Sequence, residues 1–306
     1  MPLDEPARRV RVRVPAKINL HLGVGPVRAD GYHELVTVFQ AVDLVDEVIA
    51  TESLGLSLQL TGRDAEALPT GPDNLAWQAA SLLAERAQVP PDVRLEIAKA
   101  IPVAGGMAGG SADAAGALLA CAHLWQTGSS KSDLLALAAR LGSDVPFALT
   151  GGTALGTGRG ELLTPALSTG QFHWVLALAD FGISAADAYR ELDRQRVEGA
   201  APLPAGSPDL LLDALRAGDA QRVAGALVND LQPASVALAP RLRQTLAAGT
   251  DLGALAGMVS GSGPTCAFLC ASAEAAARLA AGLAAEGVCR TTRVATGPVP
   301  GARVVF

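Results

Sequence analysis

Lysine is scarce in this sequence: Lys17, Lys99 and Lys131 stand against 21 arginines among 306 residues. Composition therefore explains an arginine cheaply and a lysine poorly. Positive charge as a whole is also lacking. The net charge of -6 and an isoelectric point near 5.3 exclude a protein that coats nucleic acid or an anionic membrane, since either needs a basic face. The four cysteines, Cys121, Cys266, Cys270 and Cys289, form no C-x-x-C pair and have no histidine at zinc spacing, so they read as reduced, mostly buried thiols. No run of about 18 apolar residues could span a bilayer. Residues 1–14 carry Asp4, Glu5 and four arginines without an apolar segment, so the expectation is a cytoplasmic protein, neither secreted nor membrane-inserted. Two common nucleotide-binding signatures, the Walker loop and G-x-G-x-x-G, are missing as well.

What the chain does contain is glycine in one unusual place. Ile101-Pro102-Val103-Ala104-Gly105-Gly106-Met107-Ala108-Gly109-Gly110-Ser111-Ala112-Asp113 has almost no side-chain bulk. Before it, Val93, Leu95 and Ile97 alternate with Arg94 and Glu96, the period of a half-buried strand. After it, Ala115, Leu118, Leu119, Ala122 and Trp125 share a helical face, with Ser111 and Asp113 as capping candidates. A strand joined to a helix this way lets backbone N–H groups converge on an anion at the positive end of the helix dipole. Phosphate is the ligand class this predicts; a turn that merely packs a helix on a sheet is the ordinary alternative.

Elsewhere, Val10, Val12, Val14, Ala16, Ile18, Leu20 and Leu22 alternate with polar residues, predicting a strand whose second face carries Lys17, Asn19 and His21. A turn at 28–32 and a strand over 35–44 follow. Asp73-Asn74 opens one helix, and Ser132-Asp133 opens another ending at Gly142. Five glycines in residues 151–160 mark an elbow, so the division falls near 165, into domains 1–165 and 166–306. Beyond a Pro/Ala/Gly-rich loop at 199–207, helices are predicted over 209–216, 219–229 and 236–247. A second glycine turn, Ser260-Gly261-Ser262-Gly263, enters an apolar strand, and 273–285 is helix. Half the chain is hydrophobic, enough for a sizeable core, and strands and helices without a regular β-α-β rhythm give an α+β fold.

Four ordered segments, Pro15-Ala16-Lys17-Ile18-Asn19-Leu20, Ala29-Asp30-Gly31-Tyr32-His33-Glu34-Leu35, the glycine loop and Leu141-Gly142-Ser143-Asp144-Val145-Pro146-Phe147, together resemble the GHMP small-molecule kinases. With Gly-Arg-Gly-Glu at 158–161 and the turn at 260–263, the resemblance runs from about residue 10 to 270. It implies a two-domain fold with the active site in the interdomain cleft. Within the superfamily, the D-G-Y-H-E-L, G-G-S-A-D-A-A and G-S-D-V-P-F segments are most similar to members that phosphorylate the 2-hydroxyl of 4-diphosphocytidyl-2-C-methyl-D-erythritol with ATP.

The roles the resemblance implies are specific. Asp144 is a general base and Lys17, with Mg2+, balances charge on the transferred phosphoryl group. Residues Pro102, Val103, Ala104, Gly105, Gly106, Met107, Ala108, Gly109, Gly110, Ser111 and Ala112 cradle the phosphates, while Asn74 and Lys99 line the adenine pocket. On the acceptor side, Asn19 and His33 bind the substrate, and Tyr32 is a stacking face with Tyr189 as the opposing aromatic. Each has an ordinary reading: Asp144 and Asn74 as helix caps, Lys17 and Lys99 as strand charges, Tyr32 and His33 as turn packing. Ala104, Met107 and Ala108 depart from the usual family loop, where glycine and leucine are common; a β-carbon disfavours positive φ, so such conformations are expected at the remaining glycines. Ala185 stands where threonine is frequent. Other members acting on homoserine, mevalonate or a sugar, a silent nucleotide-binding relative, and a dinucleotide-dependent dehydrogenase are the competing readings; the last lacks its glycine fingerprint.

Overall fold

The computed structural model describes residues 7–305; the first six residues of the N-terminal stretch, Asp4 and Glu5 among them, lie outside it. In chain order the elements are β1 (Arg9–Val27), β2 (His33–Glu52), β3 (Leu56–Gly62), α1 (Leu75–Ala87), β4 (Val93–Lys99), α2 (Gly109–Leu124), α3 (Lys131–Leu141), α4 (Val145–Thr150), β5 (Thr153–Thr157), β6 (Leu162–Pro165), β7 (Phe172–Leu178), α5 (Ala185–Val197), α6 (Asp209–Ala217), α7 (Ala220–Gly225), β8 (Val228–Asn229), α8 (Gln232–Leu238), α9 (Arg241–Asp251), β9 (Ala256–Val259), β10 (Cys266–Cys270), α10 (Ala273–Ala285), β11 (Thr291–Gly297) and β12 (Arg303–Val305).

They form two sheets with helices packed against them, the predicted α+β class. The larger sheet runs β12-β1-β2-β4-β3, with β5 and β8 attached to β2 and β1; the smaller, antiparallel one runs β11-β7-β10-β9. The chain returns to the first sheet twice after residue 165, at β8 beside β1 and at β12 on its edge. Helix α2 lies directly on β1 and β2 because it is built of alanine and glycine. A β-carbon at Gly116 would stand 2.6 Å from Val48 and 2.9 Å from Val14, so only glycine allows this approach. Such a helix, apolar all round, is buried on nearly every side.

Strand β1 differs from its predicted half-exposed form. Its residues 14–24 are buried on both faces, because α2 covers one side and the Ser260–Gly263 turn reaches the other. The β1–β2 pairing shifts register between Pro15 and Ala16 and again between Asn19 and His21. Bulges of this kind re-aim neighbouring side chains, here those of Lys17 and Asn19.

Helix ends needed correction where side chains found other partners. Neither Ser111 nor Asp113 caps α2; the cap is Ala108 in the left-handed region, and the helix begins at Gly109. Ser130, not Ser132, caps α3 in a reciprocal box with Asp133, and Gly142 ends that helix as expected. The helix expected over 219–229 stops at Gly225, where the chain turns to pair beside β1. The one expected over 236–247 is two, broken at Ala239 with Pro240 as the cap of α9.

Candidate active site

A cavity of about 1030 Å³ lies between the first sheet and the second half of the chain. Its floor is set by β1. Lys17 is 8 % exposed, and its ammonium donates to Asn19 Oδ1 at 2.7 Å and faces Asp144 Oδ2 at 3.6 Å. Asn19 in turn donates to Thr37 Oγ1 at 2.9 Å, and Thr37 donates to the His21 carbonyl at 2.7 Å. This chain of hydrogen bonds holds the ammonium beside Asp144. Asp144 precedes α4 without capping it: its side chain makes no bond to the helix N–H groups. The capping alternative for Asp144 therefore fails, and its carboxylate is turned to Lys17.

One wall is the glycine loop. Of residues 102–112, Ala104, Gly106 and Ala108 line the cavity; Met107 points into the core, fully buried, while its carbonyl accepts from the Lys17 N–H at 3.4 Å. The expectation that glycines alone would carry positive φ is overturned. Ala104 (φ 50°) and Ala108 (φ 59°) adopt it together with Gly106 (φ 74°). An L-residue in that region costs about 1–2 kcal/mol, so the surroundings must impose it. Part of the cause is close backbone packing: a β-carbon at Gly106 would lie 2.1 Å from the Ser260 carbonyl, and Ser260 donates its hydroxyl to the Gly106 carbonyl at 3.2 Å. The turn at 260–263 thus backs the loop and also borders the cavity through Gly261 and Ser262. Beyond it, Gly110 is exposed and Ser111 half-buried on the first turn of α2, where N–H groups lack intrahelical partners.

The two residues placed at the adenine pocket by resemblance both have partners within the protein. Asn74 caps α1, accepting from the Ala76 N–H at 2.8 Å and donating to the Pro69 carbonyl at 2.8 Å. Lys99 faces inward behind the loop, its side chain 2 % exposed, paired with Asp46 and Asp113. Burial alone would pull its ammonium down, but the attraction of Asp113 and Asp46 outweighs that and raises it.

The opposite wall is aromatic. His33, 9 % exposed, stacks on Tyr189 with ring centroids 4.9 Å apart and planes at 20°. Its Nε2 lies 2.9 Å from Asp193 Oδ1. A carboxylate only accepts, so Nε2 carries the hydrogen and, in the neutral ring, Nδ1 is left as an acceptor. Burial, with the charge of Asp144 adding to it, raises the Tyr189 phenol, which therefore stays protonated. Tyr32 and Tyr189, expected as opposing aromatics, both border the cavity; Tyr189 is stacked on His33, while Tyr32 is 56 % exposed with the Arg159 guanidinium 5.0 Å from its ring centre. Asp193, Thr37 and Arg159 were not identified from sequence. No motif marks the first two; the Gly-Arg-Gly-Glu segment did mark the third, without a role.

Comparisons with known proteins agree with this geometry. Residues 74–152 match the GHMP kinases N terminal domain and residues 211–289 the GHMP kinases C terminal. The chain is 58% identical over 298 residues to a 4-diphosphocytidyl-2-C-methyl-D-erythritol kinase of Rhodococcus jostii, covering 97% of this chain and 96% of that one. A kinase of the same name from Mycobacterium tuberculosis is 59% identical over 300 residues, covering 98% and 94%. Among solved structures, a 4-(cytidine 5'-diphospho)-2C-methyl-D-erythritol kinase superposes with a TM-score of 0.76 at 34% identity, covering 93% of this chain and 98% of that one. A homoserine kinase from Cytophaga hutchinsonii, at 19% identity, 100% coverage of both chains and a TM-score of 0.77, shares the fold. Matches to both GHMP kinase domains and near full-length identity well above 30% place this chain among the GHMP kinases and, within them, in the 4-diphosphocytidyl-2-C-methyl-D-erythritol kinase family.

Proposed function

We propose that this chain transfers the γ-phosphoryl group of ATP to the 2-hydroxyl of 4-diphosphocytidyl-2-C-methyl-D-erythritol. The observation that carries the reading is the Lys17–Asp144 pair, 3.6 Å apart, in one cavity with the glycine loop and the His33–Tyr189 stack. Phosphoryl transfer asks a protein chiefly for alignment and charge stabilisation. Asp144 accepts the alcohol proton as the new P–O bond forms, and Lys17 stabilises the charge on the transferred group. The accepting alcohol is tertiary and hindered, so the Asn19–Thr37 chain that holds Lys17 matters as much as the charge itself. Residues 1–165 supply this machinery and residues 166–306 supply Tyr189, Asp193 and the backing turn.

At the far end, the cytosine base lies against Tyr32 and the His33–Tyr189 pair. Nδ1 of His33 accepts from the exocyclic amine, a donor that uracil lacks. Among the described residues no group of three or more metal-binding side chains occurs. A Mg2+ brought in on the nucleotide's phosphates would supply further charge neutralisation, and Asp144 is the carboxylate that borders the cavity beside Lys17; magnesium commonly binds through one or two protein oxygens and substrate phosphates. The acidic charge favours small-molecule substrates over nucleic acid or membrane, and the reduced cysteines support work in the cytoplasm. The test is ADP release by the purified protein with ATP and Mg2+: stoichiometric with the cytidine substrate, far slower with homoserine, mevalonate or galactose, and slower with the uridine analogue. Equal turnover of homoserine would overturn the reading.

A further inference from the structure

At the aromatic end of the cavity one helix holds one histidine from two directions. Tyr189 and Asp193 are four residues apart on α5, so both side chains leave the same helix face. Tyr189 lies against the flat of the His33 ring, and Asp193 Oδ1 accepts from its edge at Nε2, 2.9 Å away. A stack alone leaves a ring free to turn in its own plane; a bond to one nitrogen removes that freedom. The position of the other nitrogen, Nδ1, is then set. Among the described residues it has no hydrogen-bond partner, yet it is not sealed off: the histidine nitrogens buried without a partner are Nε2 of His21 and Nδ1 of His173, whereas His33 borders the cavity. Asp193 is also withheld from the arginines of its own helix. Arg190 and Arg196 stand three positions before and after it, a spacing at which a helix pairs opposite charges. Arg190 pairs instead with Asp187, and Arg196 donates to the Val24 and Gly25 carbonyls. Among the described residues, His33 is the one side-chain partner of Asp193.

We propose that Asp193 is a positioning residue that sets base preference: by accepting from Nε2 it holds His33 as the tautomer whose Nδ1 is an acceptor, and so selects a pyrimidine bearing an amino group over one with a carbonyl in its place. This rests on the cytidine reading above and deepens it. A neutral imidazole not held in this way carries its proton on either nitrogen. With the proton on Nδ1 the ring donates, which suits the carbonyl of uracil and leaves the amine of cytosine facing another donor. The choice of tautomer therefore decides which base one and the same ring reads. Asp193 makes that choice through the ring, from the side away from its open nitrogen. The ordinary alternative is a tie that merely fastens α5 to the start of β2.

The experiment uses the full chain with its histidines labelled with 15N. Four histidines are present, so the signals of His33 are assigned by their loss in His33→Ala. At about pH 8.5, above the ordinary histidine range, the ring spectrum reports which nitrogen carries the proton. Nε2–H is expected in the wild-type protein and a mixture of both forms in Asp193→Ala. In the same variant the ratio of kcat/KM for the cytidine substrate over its uridine analogue should fall roughly 3- to 10-fold, the worth of one hydrogen bond. The fall comes through KM for the acceptor, while kcat at saturation and KM for ATP stay level. Once His33 is already alanine, Asp193→Ala should change that ratio no further. A proton on Nδ1 in the wild-type protein, an unchanged tautomer in Asp193→Ala, or equal rises in KM for both acceptors would overturn the inference; the last is what a merely structural tie gives. The wild-type spectrum decides even if the variant fails to fold. No turnover of the cytidine substrate, with the shift of tautomer still seen, would instead overturn the acceptor assignment and leave the hold of Asp193 on His33 standing.

Discussion

At one end of the cavity the glycine loop, to which the proposed function gives the phosphates, is backbone from a single stretch of chain, with the buried ion pairs of Lys99 to Asp46 and Asp113 behind it. At the other end His33, Tyr189, Asp193, Tyr32 and Arg159 arrive from β2, α5 and two turns, and what they present is side chain. Phosphates offer the same charge and oxygens in any nucleotide, so a rigid array of N–H groups suffices there. A base must be told from other bases, which requires aromatic faces and one correctly disposed acceptor. The difference teaches where each kind of change will be felt: backbone changes at the first end, single side-chain losses at the second, and the largest effects between them at Lys17 and Asp144.

The largest effect should come from that middle. Asp144→Asn is expected to lower kcat by roughly 10²- to 10⁴-fold with both KM values little changed, the span general-base removal produces. Because Asp144 caps nothing, its loss should spare the fold. Lys17→Met should behave alike, since a cation beside the transferring group acts on the transition state. A fall under about threefold in a folded Asp144→Asn protein would strip the carboxylate of its role as base.

Next in size is the aromatic end. Tyr189→Ala is expected to raise KM for the cytidine substrate by roughly 5- to 150-fold while KM for ATP stays put, given ~1–3 kcal/mol for a base on an aromatic ring. Because Tyr189 also supports His33, the double change with His33→Ala should cost clearly less than the two single effects added. Strict additivity would mean that the two rings act separately, and an equal rise in KM for ATP would erase the distinction between the two ends.

The phosphate end is tested by backbone access. Gly110 is exposed, and a β-carbon there meets nothing nearer than Leu75 at 3.6 Å. Gly110→Val should therefore keep the fold and reduce ATP affinity by roughly tenfold, because its branched side chain stands over the helix N–H groups. Gly109 is the poorer choice, since a β-carbon there meets Ile101 at 3.2 Å and the Lys99 ammonium at 3.3 Å. Unaltered ATP affinity in Gly110→Val would reduce the loop to a packing turn.

The same contrast governs what could be read before any coordinates. The loop was legible because its strand, glycines and helix are contiguous, and α+β organisation followed from element types in order. Asp144 and Lys17 were named through resemblance, but that Asp144 declines to cap α4 depends on a lysine 127 positions earlier, which no local pattern contains. Lys99 and Asn74 were placed at the adenine pocket through resemblance; a strand-end lysine and a helix-start asparagine look alike whether they face a ligand or the core, so their partners, Asp46 and Asp113 for the one and the N–H of Ala76 for the other, were not legible. Tyr189 was found, but not that it would stack on His33, because that contact joins residues 156 positions apart.

The smallest expected effect concerns the two alanines that take positive φ. Ala108, at φ 59°, is the cap of α2. Glycine there removes the steric cost of a β-carbon, about 1–2 kcal/mol, and gives back roughly 0.5–1 kcal/mol in unfolded-chain entropy, so Ala108→Gly should stabilise by up to about 1 kcal/mol. Ala104, at φ 50°, carries the same backbone cost, but its methyl stands in the space facing Gly182, where a β-carbon would lie 3.1 Å from it. Ala104→Gly gives up that methyl's packing and should gain less, or nothing. Denaturant midpoints of the two variants, compared at equal slope, measure the difference. A larger gain at Ala104 than at Ala108 would mean that the methyl strains the wall it faces, and that the loop is held in its conformation against Gly182 rather than by the turn at 260–263.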